Sequence, residues 1–185
     1  PYHQDKLIEA LAKANRNFVY VNISGNAVAM PWKAKVAGIV QGWFIGSESG
    51  EALASILTGD ANPSGKLPFT WVNSLTETGA HALNTYPGTW RQEGGASTKG
   101  NIIDEEYKED IFVGYRWADQ HKLTPLFPFG HGLSYTTFEY GKAKIEACDA
   151  SLQSTVSNAA NQSADNPLYK VRLTLRNTGA CSGAE

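Results

Sequence analysis

The chain has 185 residues, enough for one domain or for one domain and part of another. Its 16 Lys plus Arg against 18 Asp plus Glu give a formal net charge of −2, so the basic excess expected of a nucleic-acid or polybasic membrane partner is missing. Apolar residues at 42% and aromatics at 11% supply material for a packed core, which excludes disorder of the whole chain, and no run approaches the roughly 18 apolar residues that span a bilayer.

The first sixty residues alternate between helix and strand. Gln4 to Asn15 carries Leu7, Ile8 and Leu11 at helical spacing, with Glu9 and Lys13 facing outward at i, i+4. Phe18-Val19-Tyr20-Val21-Asn22-Ile23 predicts a buried strand closed by Ser24-Gly25, and Val36 to Phe44 predicts a second. Gly46-Ser47-Glu48-Ser49-Gly50 turns the chain into a helix with Ala52, Leu53, Ile56 and Leu57 on one face, ended by Gly59. Strands buried on both faces and flanked by helices imply a mostly parallel α/β sheet.

Asn62-Pro63-Ser64-Gly65-Lys66 is a turn, after which Leu67-Pro68-Phe69-Thr70-Trp71 is extended, its proline suited to a strand end or edge. From Val72 to Asp110 periodicity fades, as in a long loop that is functional or wraps a neighbour. Ile111 to Trp117 and Leu126 to Tyr135 are dense in aromatics and glycine. After Gly141 the pattern alternates: Lys144-Ile145-Glu146 and, most clearly, Leu168 to Arg176 predict strands with one wet face, separated by a polar stretch from Ser151 to Pro167. Two or three strands are too few for an independent sandwich, so a second, incomplete β-domain is expected.

Few residues carry a chemical signal. Gly46-Ser47-Glu48-Ser49-Gly50 has the outline of a nucleophile elbow, but Glu48 stands where the serine belongs. Ser47 and Glu48 at a helix start are better explained by the unpaired N–H groups there. Gly130-His131-Gly132 lacks the third glycine of a dinucleotide fingerprint, and no Gly-Lys-Ser/Thr occurs. His3, His81, His121 and His131 have no metal-ligand spacing, so neither a metal nor a cofactor is expected. His131, among glycines and aromatics, reads first as a packing residue and second as a catalytic one. The acidic run from Asp104 through Glu105 and Glu106 to Asp110 reads as a solvated cluster. Trp90, Arg91, Tyr107 and Trp117 could stack on sugar rings, although such aromatics more often cover a core. Cys148 and Cys181 make neither a disulfide framework nor a zinc site, and two inert thiols are preferred to a bridge.

Four segments in order carry a resemblance: Trp43 to Ala54 with Gly59 to Pro68; Tyr115-Arg116-Trp117; Pro125-Leu126-Phe127-Pro128-Phe129-Gly130-His131-Gly132-Leu133-Ser134-Tyr135-Thr136-Thr137-Phe138; and Leu173 to Gly179. Together they resemble the C-terminal part of family 3 glycoside hydrolases, the last segment being similar to the opening of a fibronectin type III-like domain. Ile45, Ser47 and Ser49 depart from the commoner residues of the pattern. The resemblance implies a three-layer, mostly parallel α/β sheet over residues 1–140 and a truncated β-sandwich over 141–185. It also implies part of a retaining exo-β-glycosidase, a β-glucosidase first and a β-xylosidase next, using two carboxylates roughly 5 Å apart.

In the family the nucleophile is an aspartate of an N-terminal barrel, and nothing here matches its motif. The acid/base glutamate, in many members, precedes the helix at Gln4. No catalytic residue is therefore carried over, the substrate-binding residues stay unassigned, and the chain alone is expected to be inactive. The implied partners are a β-linked oligosaccharide or glycoside and the barrel domain, with no nucleic acid and no membrane. A secreted or periplasmic location is expected ahead of a cytoplasmic one. The start at Pro1, with Met30 the sole methionine, does not read as a native start. The sequons Asn22-Ile23-Ser24 and Asn161-Gln162-Ser163 matter only in a eukaryotic source. The competing reading is a non-catalytic carbohydrate- or protein-binding module, and an unrelated α/β hydrolase is disfavoured by the absent serine.

Overall fold

A computed structural model describes residues 3–90, 103–147 and 169–185. The chain divides into two units, Pro1–Thr58 with Gly65–Leu133 and Gly59–Ser64 with Ser134–Glu185.

The first unit opens with α1 (Gln4–Ala14), whose buried side chains are Ile8 and Ala12, while Leu7 and Leu11 remain 59% and 42% exposed. The face is thus narrower than its spacing predicts. It is set by the core it meets, which is built from Ile8, Met30, Trp32 and Trp71. Trp32 Nε1 donates to Asp5 Oδ1 at 2.7 Å, and Lys35 Nζ reaches Glu9 Oε1 at 2.6 Å, so Glu9 pairs across to another segment and not with Lys13. Strand β1 (Val19–Asn22) then pairs parallel with β2 (Gly38–Gln41), Asn22 facing Gln41 in register. Helix α2 (Ser49–Thr58) follows, and Gly59 takes φ 86 just beyond it. Neither strand is buried along its length, and none of the residues of α2 is buried. The physical reason is width: a sheet of two strands offers too little surface to cover its flanking helices.

Residues 65–71 and 126–131 are joined by backbone bonds. Leu67 donates to His131 O at 2.9 Å, Gly130 to Leu67 O at 2.8 Å, Trp71 to Phe127 O at 2.9 Å and Phe127 to Trp71 O at 3.1 Å. The extended chain predicted at Leu67–Trp71 therefore exists as a bridged segment. Trp71 is almost wholly enclosed. Its Nε1 donates to Val28 O at 2.9 Å, and its ring meets Trp43, Phe69 and Phe127 at centroid distances of 6.1, 5.8 and 5.8 Å. The described part of the 72–110 stretch is more ordered than its faded periodicity predicts. It holds the short helix α3 (Gly79–Ala82) and an antiparallel pairing of β3 (Thr89–Trp90) with β4 (Ile103–Asp104). Helix α4 (Tyr115–Gln120) then buries Trp117 and Ala118.

In the second unit β5 (Phe138–Tyr140) pairs antiparallel with β8 (Leu175–Asn177), and β6 (Lys144–Ala147) with β7 (Tyr169–Arg172). The single strand predicted from Leu168 to Arg176 is thus divided between two partners. Its alternation does not produce a dry face: Ile145, Val171, Leu173 and Leu175 are all exposed, because each ribbon has two strands and no described sheet covers it. Asn62 ties its own segment into this unit, accepting from Ser134 Oγ at 2.9 Å and Tyr135 N at 2.8 Å while donating to Ser182 O at 2.9 Å. Cys181 is free and exposed, whereas Cys148 lies outside the described residues.

A Cβ added at Gly132 would collide with Gly65 O, an overlap with backbone that no side-chain rotation relieves. Gly132→Ala is expected to destabilise the first unit by about 1–3 kcal/mol, read as a lowered urea midpoint with the slope unchanged.

Candidate functional site

Parallel strands aim their carboxyl ends at one edge, where open α/β sheets hold ligands. Here both strands end in an amide. Asn22, 5% exposed, donates from Nδ2 to Gln41 Oε1 at 2.6 Å and to Ser24 Oγ at 2.7 Å, and its Oδ1 accepts from Tyr20 Oη at 3.0 Å. Gln41 Nε2 donates to Ser24 O at 3.2 Å, and Ser24 Oγ donates to Asn26 O at 2.8 Å. Burying an amide is costly unless its hydrogen bonds are made, and both N–H groups of Asn22 have acceptors. The network is consequently rigid, and it borders a cavity of about 730 Å³ lined by Asp5, Ile8, Tyr20, Asn22, Ser24 and Trp32 among others. Tyr20 and Trp32 meet edge to face at 4.6 Å. Burial, followed by the charge of Asp5, raises the Tyr20 phenol above its ordinary value, so it stays a neutral donor. Beyond β2, Trp43 is held at φ 52, a region a bulky side chain occupies only when its packing over-determines it. Phe69 at 5.8 Å and Trp71 at 6.1 Å supply that packing.

Because the donors of Tyr20, Asn22 and Ser24 are spent within the network, this edge offers acceptor oxygens beside the rings of Tyr20 and Trp32. Asp5, the one carboxylate among the described residues that line the cavity, is already engaged by the Trp32 indole.

The residues singled out from sequence are not brought together. Glu48 is exposed in the turn before α2, with its backbone oxygen accepting from Ala52 N at 3.1 Å. Ser47 is likewise exposed. In the acidic run Asp104, Glu105, Glu106 and Asp110 are exposed, Glu106 pairs with Lys108 at 3.1 Å, and Glu109 Oε2 is buried with no hydrogen-bond partner among the described residues. Of the candidate sugar-stacking aromatics, Trp117 is buried against His121 at 3.8 Å, Trp90 and Tyr107 are exposed, and Arg91 lies outside the described residues. His81 Nδ1 meets Thr78 Oγ1 at 2.8 Å, and His121 Nδ1 meets Trp117 O at 3.0 Å. Among the described residues no three His, Cys, Asp or Glu side chains gather as metal ligands. Sequence reasoning missed Asn22 and Gln41; the available signal was an amide closing each of two apolar runs.

His131 stacks on Phe127 at 5.0 Å, and Lys33 Nζ lies 4.1 Å from the same Phe127 centroid while donating to Leu126 O. Burial lowers the His131 pKa from its ordinary 6.5, and the positive charges of Lys33 and Lys66 lower it further.

Fold and edge together define an α/β scaffold with a polar cleft at its strand ends. Residues 1–135 match the glycosyl hydrolase family 3 C-terminal domain, and the chain belongs to that family. It is 45% identical to beta-glucosidase BoGH3A of Bacteroides ovatus over 100% of this chain and 22% of the relative. It is 40% identical to beta-glucosidase B of Emericella nidulans over 98% of this chain and 19% of the relative. Among solved structures it superposes on DesR, a beta-glucosidase from Streptomyces venezuelae in complex with D-glucose. That match has a TM-score of 0.75 and 35% identity, over 97% of this chain and 20% of that one. Beta-glucosidase 3B from Thermotoga neapolitana in complex with glucose gives a TM-score of 0.76 and 30% identity, over 98% of this chain and 22% of that one. The chain thus spans about a fifth of the length of the curated relatives it matches. Among the described residues no helix is long and apolar enough to cross a membrane.

Asn22→Ala strips partners from Gln41, Ser24 and Tyr20, and is expected to lower stability by about 1–3 kcal/mol in urea unfolding. For His131 the folded pKa lies below the unfolded one, so the unfolded chain takes up the proton first as pH falls. Its contribution is complete above pH 6.5 and is lost as pH drops from there toward the folded value. His131→Phe should therefore flatten the fall in urea midpoint between about pH 7.5 and about pH 5.5 relative to the parent chain.

Proposed function

We propose that this chain works as part of a retaining β-glucosidase, a β-xylosidase being the next choice, and that it supplies one wall of the glycoside pocket and none of its reactive carboxylates. The observation that carries the reading is the amide-rimmed cavity at the carboxyl ends of β1 and β2, in a chain whose relatives are named beta-glucosidases. A retaining glycosidase needs a carboxylate nucleophile and a second carboxylic acid that protonates the leaving oxygen. In the described edge Asp5 is tied to an indole and Glu48 is exposed before α2, which favours assigning both reactive groups to a barrel domain and to the segment ahead of α1. The role left to this chain is to hold that segment, accept hydrogen bonds from sugar hydroxyls and exclude water from the cleft.

In this reading residues 1–140 are the second, α/β domain of the enzyme, and β1–β2 is part of a wider, mostly parallel sheet between two helical layers. The incompletely covered apolar side chains of α1 and α2, among them Leu7, Leu11 and Leu57, favour it, since further strands would cover them. Residues 141–185 begin a fibronectin type III-like domain whose missing strands would cover Ile145, Val171 and Leu175. The substrate is a β-linked oligosaccharide or glycoside, and the compartment is secreted or periplasmic.

The purified 185-residue chain is expected to release no nitrophenol from p-nitrophenyl β-D-glucoside, whereas the longer gene product that contains it should. Hydrolysis by the short chain that disappears on Glu48→Gln, or a longer product inert toward aryl β-glycosides, would overturn the proposal.

A further inference from the structure

The first turn of α1 and the carboxyl end of β1 meet on one cavity, lined by Gln4, Asp5 and Lys6 from the helix and by Tyr20, Asn22 and Ser24 from the strand and the turn after it. Chain that enters α1 thus arrives beside the strand-end edge. At that entry His3 takes φ 50, a left-handed backbone uncommon for a residue with a Cβ, and its carbonyl accepts from Leu7 N at 2.9 Å. His3 makes no side-chain cap on the helix, so the direction of this end is set by contacts of the first turn with other segments.

Asp5 makes such a contact. It stands in the first turn, and its Oδ1 accepts from Trp32 Nε1 at 2.7 Å. Trp32 is 1% exposed, packs edge to face on Tyr20 and belongs to the core with Ile8, Met30 and Trp71, so it gives the carboxylate a fixed anchor. A hydrogen bond to an ionised acceptor is about twice as strong as a neutral one. The buried side chains of α1, Ile8 and Ala12, both lie beyond its first turn. A helix held by those two alone could swing at its N-terminal end, and Asp5 removes that freedom. The Lys35–Glu9 ion pair ties α1 a turn further along, but both partners are about half exposed and such a pair contributes little in water.

We infer that the Asp5–Trp32 hydrogen bond aims the segment ahead of α1 for proton transfer in the longer enzyme, Asp5 and Trp32 being positioning residues that act through that segment. The inference rests on the reading above, in which the segment preceding α1 carries the acid/base carboxyl. In the first step of a retaining hydrolysis that carboxyl gives its proton to the glycosidic oxygen. The bond from this oxygen to the anomeric carbon breaks, and the nucleophilic carboxylate bonds to the carbon. Proton transfer requires the two heavy atoms within about 2.6–3.2 Å, and a misplacement of about 1 Å costs on the order of 100-fold in rate. A swing of the first turn of α1 would carry the attached segment through distances of that size.

The test uses the longer gene product and aryl β-D-glucosides whose leaving groups grow poorer from dinitrophenyl through p-nitrophenyl to phenyl. A misplaced acid slows most the leaving group that most needs a proton. Asp5 is exposed, so Asp5→Ala keeps the core intact. It is expected to lower kcat/KM for the phenyl glucoside at least about tenfold more than for the dinitrophenyl glucoside. Asp5→Asn keeps an oxygen for the indole and should follow the parent across the series. Trp32→Phe should reproduce the Asp5→Ala pattern, and the double variant should add nothing further. Trp32→Phe also opens space in the core, so its effect is read from the ratio between substrates, which the folded fraction does not alter. An equal loss across the series, an Asp5→Asn enzyme that behaves as Asp5→Ala, or effects of Asp5→Ala and Trp32→Phe that multiply would each overturn the inference while leaving the hydrolytic reading intact. A parent gene product inert toward every glucoside would overturn that reading and this inference with it.

Discussion

The first unit depends on the mutual backbone bonding of Trp71 and Phe127. These residues lie 56 positions apart, and between them runs most of the least periodic sequence in the chain. Closing so long a loop costs entropy that a pair of hydrogen bonds cannot offset alone. Burial of Trp71 against Trp43, Phe69 and Phe127 supplies the remainder, since aromatic rings bring the largest apolar area per residue. Gly132 is part of the same constraint, because the two segments approach until no Cβ fits opposite Gly65.

That anchor also orders the strand-end edge. Trp71 reaches Val28 through its indole nitrogen, fixing the loop that follows β1, where the amide network of Asn22, Ser24 and Gln41 sits. On its other side it sets Thr70, whose hydroxyl faces no partner in the described structure. A single aromatic cluster thus stiffens the loop beside the amide network. The polar groups differ in their state: those at the strand ends are bonded among themselves and favour rigidity, whereas Thr70 Oγ1 is buried with no hydrogen-bond partner among the described residues.

Of the candidate site, sequence conveyed the surroundings better than the groups. His131 emerged as a packing residue because glycines and aromatics flank it, and its stack on Phe127 has that character. Asn22 and Gln41 did not emerge, since an amide ending an apolar run resembles any strand terminus until register sets the two opposite each other. Trp117 belonged in sequence to a group of possible sugar-stacking rings, yet helical phase turns it inward while Tyr115, two residues earlier, stays half exposed. Thr70 carries no local mark at all, because an unmade hydrogen bond is a property of surroundings.

Local chemistry in the chain determined that Gln4 to Ala14 and Ser49 to Thr58 are helices, that two apolar runs are strands, and that motif order fixes the family, since propensity, capping and spacing act over a few residues. Tertiary structure alone decided which helix side chains are covered, how the last alternating segment is shared between two partners, and which polar atoms are satisfied. Those outcomes depend on surfaces contributed from distant positions, and the free energy of burying a group is set by what lies against it.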